Sequence, residues 1–235
     1  MSATVDVTTQ DGVADAYLAD GGGPPVLLVM DAYGLRPQIE GMADRIAERG
    51  FKVLAPNVFY RHGRAPVISL EGLGEPGYFE KVMPLVRGLG REQVVRDAPA
   101  YLDALGNGPV AITGYCMGGR VGWHIATAYP DRVVALGGFH VGSLVTDAPD
   151  SAHTFANDIA AEVYLGYADN DRSATPEQIA TFDAALDDAG VRHRTEVYEG
   201  AAHGYTMADT PAYDERAAER HFEALFDLLE RTLLH

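Results

Sequence analysis

Val110-Ala111-Ile112-Thr113-Gly114-Tyr115-Cys116-Met117-Gly118-Gly119-Arg120 decides the fold. Its first four residues are apolar or β-branched and read as a buried strand, while Val121, Trp123, Ile125 and Ala126 beyond it keep helical spacing. Between them, glycines stand two before and two after Cys116, the pattern of a nucleophile elbow, with cysteine in the place of the usual serine. A side chain carried on so sharp a strand-to-helix turn sits in strained backbone, and neighbours with a Cβ would collide there. The turn also sets the thiol at a helix N-terminus, where free N–H groups and the helix dipole favour thiolate and oxyanion. The competing identity of this turn, a dinucleotide-binding loop, fails on two counts. Gly114 to Gly119 does not spell G-x-G-x-x-G, and the next apolar run ends in Gly137-Gly138-Phe139 rather than in an acid.

Working outward, short apolar runs alternate with amphipathic stretches. Val26–Met30, Lys52–Ala55, Val133–Phe139 and Glu162–Tyr167 are near-continuous in apolar residues, as strands covered on both faces are. Val5–Thr9 and Ala14–Ala19 predict a hairpin about Asp11-Gly12, and Arg192–Tyr198 a last strand. Helices are expected from Pro37 to Gly50, across Val94 to Leu105 despite Pro99, from the Thr175-Pro176-Glu177-Gln178 capping box to Gly190, and from Ala218 to Leu233. Alternation of this kind predicts a three-layer α/β fold with a mostly parallel sheet, one domain over residues 1–235. The stretches His62–Gly90 and His140–Asp158 break the alternation and are expected as loops shaping a pocket.

Composition excludes several classes. With 47% hydrophobic and 22% charged residues the chain has material for a sizeable core and is not disordered. Its 18 Lys and Arg against 34 Asp and Glu give a net charge of −16, which repels phosphate backbones and anionic membranes. A lone cysteine forms no internal disulfide, and no histidine pair has H-x-H or H-E-x-x-H spacing, so neither metal nor cofactor is expected. The N-terminus lacks a signal-peptide pattern and no apolar run approaches the ~20 residues of a membrane span. A cytoplasmic monomer or small homo-oligomer follows as the expectation.

A thiol needs a base, and elbow enzymes order their residues nucleophile, acid, histidine. Of the histidines after Cys116, His203 in Glu199-Gly200-Ala201-Ala202-His203-Gly204-Tyr205 lies just past the last expected strand on a run of small residues. His124 and His221 fall inside helices, His140 and His153 remain as substrate contacts, and His193 and His235 are poorly placed. For the acid, Asp169 and Asp171 both end the strand before the Thr175 helix.

These motifs, together with Asp31-Ala32-Tyr33-Gly34 and the stretch from Gly50-Phe51 to Arg61, resemble the dienelactone hydrolase family over nearly the whole chain. The resemblance implies an α/β-hydrolase fold and a carboxylesterase that cleaves a small-molecule ester or lactone through a Cys-His-Asp triad. It selects Asp171, which precedes Pro176-Glu177 by the family's interval, over Asp169. It implies that the amides of Ala32 and Met117 form the oxyanion hole. Asp31 takes the place of a family glutamate that contacts the resting thiol, one methylene shorter. The family's prototypes grip a substrate carboxylate with two arginines, one soon after the histidine. Here Gly204-Tyr205-Thr206-Met207 follows His203, leaving Arg61, Arg64 and Arg87 as candidates and arguing against a dienelactone as substrate. A thioester or amide hydrolase, an acyl transferase, or a non-catalytic binding protein on the same fold are the alternatives.

Overall fold

The computed structural model describes residues 1–234; His235 lies outside the described residues. A hairpin opens the chain, β1 (Ser2–Thr9) and β2 (Gly12–Asp20), turning where Gly12 adopts φ +151°. Six more strands follow: β3 (Pro25–Val29), β4 (Lys52–Pro56), β5 (Val110–Tyr115), β6 (Val133–Phe139), β7 (Glu162–Asn170) and β8 (His193–Ala202). They form one sheet in the order β1-β2-β4-β3-β5-β6-β7-β8. The two pairings that involve β2 are antiparallel and the remaining five are parallel. The three-layer α/β fold expected from the alternation, and the α/β-hydrolase arrangement implied by the family resemblance, are the fold observed. Every residue of β5 is buried, which is why its sequence does not alternate.

Helices cover both faces. On one, α1 (Pro37–Ala47) and the C-terminal α6 (Glu215–Leu233) lie side by side, joined by Arg45–Glu219 and Arg49–Glu230 ion pairs. On the other, α3 (Arg91–Leu105), α4 (Met117–Ala128) and α5 (Pro176–Asp188) pack in turn, with Trp123 of α4 meeting Phe182 of α5 edge-on at 4.9 Å. Helix α3 continues through Pro99, with Val94, Ala98, Tyr101, Leu102 and Leu105 burying one face against the sheet and α4. Thr175 caps α5 as its sequence foretells, accepting from the Gln178 amide while Gln178 accepts from the Thr175 amide. No described helix is long and apolar enough to cross a membrane.

Two expectations need correction. The stretch His62–Gly90 is not all loop, since α2 (Tyr78–Gly88) occupies its second half. Tyr78, Phe79, Val82, Met83 and Val86 do keep helical spacing, but Pro84 sits inside the helix and glycines and prolines crowd the segment before it, which makes the whole stretch read as loop. The last strand also runs past Tyr198. Pairing shifts from Ala168–Tyr198 to Asn170–Ala202, and Gly200 at φ +77° absorbs the extra residues.

Candidate active site

Strands β3, β5, β6, β7 and β8 all end at one edge of the sheet, where parallel α/β sheets place their ligands. At the end of β5, Cys116 occupies φ +55°, ψ −119°, a conformation costing a non-glycine residue about 1–3 kcal/mol. Its neighbours show why the turn needs glycine. A Cβ on Gly114 would stand 2.3 Å from the Gly118 oxygen, and one on Gly118 would stand 2.3 Å from the Val29 oxygen. The first turn of α4 therefore rests directly on the backbone of β3. The Cys116 amide donates to the Phe139 oxygen at 3.0 Å, tying the elbow to β6 as well.

Across the edge, the shifted pairing of β8 carries His203 over the end of β7. His203 Nδ1 lies 2.6 Å from Asp171 Oδ2, and the Asp171 side chain is 3% exposed. Asp171 Oδ1 accepts from both the amide and the hydroxyl of Ser173, at 2.8 and 2.6 Å. Burial pushes the Asp171 carboxyl up, but these donors outweigh it and hold its pKa below the ordinary value. Asp169 instead is exposed and accepts from the Gly200 amide at 3.0 Å. It braces the β8 turn and does not meet His203. For His203, burial acts to lower the pKa, while charge on Cys116 and the Asp171 hydrogen bond raise it, to about 10.

Cys116 and His203 line one cavity of about 390 Å³ with Asp31, Ala32 and His140. The amides of Ala32 and Met117 have no hydrogen-bond partner among the described residues. Asp31 is 2% exposed and its oxygens are engaged by Arg36 and the Tyr33 amide, so it faces the cavity without a hydrogen bond to the thiol. Burial holds its carboxyl above the ordinary value even beside Arg36. His140 is fully buried at φ +40°, bonded through Nε2 to Thr206 Oγ1 at 2.7 Å, and burial drives its pKa well down, so it is neutral. His153 bonds Ser151 and does not line the cavity. His124 and His221 are buried in helices.

Residues that the sequence did not single out complete the edge. Arg36, 5% exposed, bridges Asp31 and Asp209, joining the loop after β3 to the loop after β8. Ser173 orients Asp171, and Thr206 orients His140. Only Ser173 left a local signal, an Asp-x-Ser pair at a strand end. Among the described residues no group of three or more His, Cys, Asp or Glu is placed to hold a metal ion.

Comparison with known proteins adds kinship to this geometry. The sequence model of the Dienelactone hydrolase family matches residues 14–233. A Salmonella typhi protein provisionally named a carboxymethylenebutenolidase is 28% identical over 220 residues, covering 89% of this chain and 77% of the relative. A Methylorubrum extorquens protein with the same provisional name is 29% identical over 237 residues, covering 95% of this chain and 78% of the relative. Among solved structures, a Klebsiella pneumoniae protein provisionally described as a dienelactone hydrolase superposes with a TM-score of 0.84 at 23% identity, over 98% of both chains. The dienelactone hydrolase-like promiscuous phosphotriesterase P91, from metagenomic libraries, does so with 0.79 at 24% identity, over 99% of this chain and 98% of its own. At these identities the structural likenesses speak for the fold alone.

Proposed function

We propose a function from one premise: this chain belongs to the dienelactone hydrolase family, and so to the hydrolases. In our reading it cleaves a small carboxylic ester or lactone through an acyl-enzyme on Cys116. The observation that carries this reading is the 2.6 Å contact of His203 with Asp171 beside a cysteine held in a strained elbow at the same cavity.

His203 takes the Cys116 proton, and the sulfur bonds to the carbonyl carbon as the carbonyl electrons move to oxygen. The amides of Ala32 and Met117 meet that oxyanion, a stabilisation worth about 3–4 kcal/mol for a well-placed donor. Collapse expels the alkoxide, which leaves with the proton from His203. Water, giving a proton to the same imidazole, then attacks the thioester and releases the acid, and the proton returns to sulfur. Asp171 fixes the imidazole tautomer and stabilises its charged form. Asp31 faces the same cavity, its carboxylate held by Arg36 and the Tyr33 amide and not bonded to sulfur.

Replacing Cys116 tests the reading. Cys116→Ala is expected to lower kcat/KM for 4-nitrophenyl acetate by about 10⁴-fold or more. Undiminished turnover in a folded variant removes the nucleophile and with it the mechanism.

A further inference from the structure

Among the described residues no lysine or arginine lines the cavity beside Cys116. All five N–H hydrogens of the Arg36 guanidinium are engaged. Nε and Nη2 donate to the two Asp209 oxygens at 2.7 and 3.1 Å, Nη1 and Nη2 to the two Asp31 oxygens at 2.6 and 3.1 Å, and Nη1 to the Gly34 oxygen at 3.0 Å. Releasing Asp31 to bind another carboxylate would strand a buried charge, and Asp209, though more exposed, already holds the guanidinium through two hydrogen bonds. The remaining arginines of the first polar stretch are also committed or remote. Arg61 pairs with Asp97 and Asp11, Arg64 pairs with Asp6, and neither these nor Arg87 lines the cavity. Lys81 of α2 borders a separate hollow with Glu71 and Glu75, and Arg120 lies outside the cavity lining, close enough for its charge to act on Cys116 but not set in the wall.

The charges around the wall are matched or acidic instead: among the described residues Asp31, Arg36 and Asp209 sum to −1, His203 is matched by Asp171, and no lysine or arginine lines the cavity. The walls facing the thiol are apolar or aromatic: Tyr33, Leu73, Phe79, Met207, Pro211 and Ala212. Phe79 is 54% exposed at the rim and forms an aromatic cluster with Tyr33 and Tyr78, at ring separations of 6.0–6.5 Å. Exposed aromatic surface at a pocket mouth has a use when an apolar group covers it.

We infer that this site takes uncharged esters or lactones with an apolar acyl group and rejects those bearing a carboxylate, because Arg36 is a clamp between two loops and not a substrate-binding cation. The inference rests on the ester-hydrolase reading above and adds the substrate class. A volume of about 390 Å³ accommodates a short alkyl or single-ring acyl group with its ester oxygens.

The test uses three 4-nitrophenyl esters on the whole protein: the acetate, the hexanoate, and the hydrogen adipate, which differs from the hexanoate by a carboxylate in place of the terminal methyl. The expected result is a kcat/KM at least tenfold higher for hexanoate than for hydrogen adipate, with the difference mostly in KM. Phe79→Arg, placing a cation at the rim without touching the buried clamp, is expected to narrow that ratio at least threefold by lowering KM for the adipate. A wild-type ratio near one, or in favour of the adipate, overturns the inference even when acetate turnover depends on Cys116. Acetate turnover that survives Cys116→Ala, or no turnover of any of the three, overturns the ester-hydrolase reading first, and this inference falls with it.

Discussion

At the end of β5 an added Cβ on Gly114 or Gly118 would press into backbone at 2.3 Å, whereas over the cavity one on Gly74 would meet nothing within 4 Å. The two regions use glycine for different reasons. In the elbow, three backbones approach so closely that no side chain fits between them. In the segment before α2, Gly72, Gly74 and Gly77 serve only to turn the chain through positive φ, with open space or a flexible carboxylate around them. The edge that positions sulfur is therefore fixed by contact between main chains. The wall that meets the rest of a substrate is fixed by little more than turns and a few aromatic rings. The proposed chemistry and the proposed selectivity therefore reside in parts of the molecule that tolerate change very differently.

The sharpest way to break that contrast is a matched pair of substitutions. Gly118→Ala is expected to prevent folding or to cost about 5 kcal/mol, since relief requires moving β3 or α4. Gly74→Ala is expected to cost about 1–2 kcal/mol, the penalty of a left-handed conformation alone. Urea unfolding compares them, and equal costs would contradict a sterically closed elbow.

Arg36 extends the fixed region to the loop that carries His203. Arg36→Ala leaves the buried Asp31 with only the Tyr33 amide and frees the more exposed Asp209, and a loss of about 3 kcal/mol is expected. Because Asp209 lies six residues past His203, ester turnover should fall further than stability alone explains. A variant with unchanged melting and unchanged kcat would show that the bridge holds nothing in place.

A smaller effect distinguishes the His203–Asp171 contact from mere proximity. The imidazole pKa is about 10 in the folded protein, against an ordinary value near 6.5. Folding therefore binds a proton that the unfolded chain gives up, so this contribution is complete below about pH 6.5 and is lost as pH rises through about 10. Asp171→Asn is expected to cost about 2 kcal/mol at pH 6 and much less at pH 10.5. A cost independent of pH would mean that Asp171 serves only to shape the turn around Ser173.

How much of this was legible follows from how local each feature is. The elbow was readable because strand, turn and helix lie within eleven consecutive residues, and the capped start of α5 because Thr175 and Gln178 bond each other. The juxtaposition of His203 with Asp171 and not Asp169 was open to spacing alone; family likeness favoured Asp171, and the shifted register of β8 brings it to the imidazole. Helix α2 was hidden because Gly72, Gly74, Pro76 and Gly77 precede it and Pro84 interrupts it, so its apolar stripe of Tyr78, Val82 and Val86 was outweighed by loop signals. Nothing in the sequence announces the Arg36 bridge, which joins positions 173 residues apart. Bonds of that kind belong to the folded sheet edge and have no periodicity to betray them.

Acyl transfer to sulfur is the step on which the proposed chemistry turns, and peptide mapping of acid-quenched protein tests it directly. After brief reaction with 4-nitrophenyl hexanoate, the expected result is one hexanoyl group on the peptide containing Cys116, absent from Cys116→Ala. Rapid turnover with the acyl group on another residue, or with Cys116 still free to alkylate throughout, would contradict a covalent mechanism at this elbow.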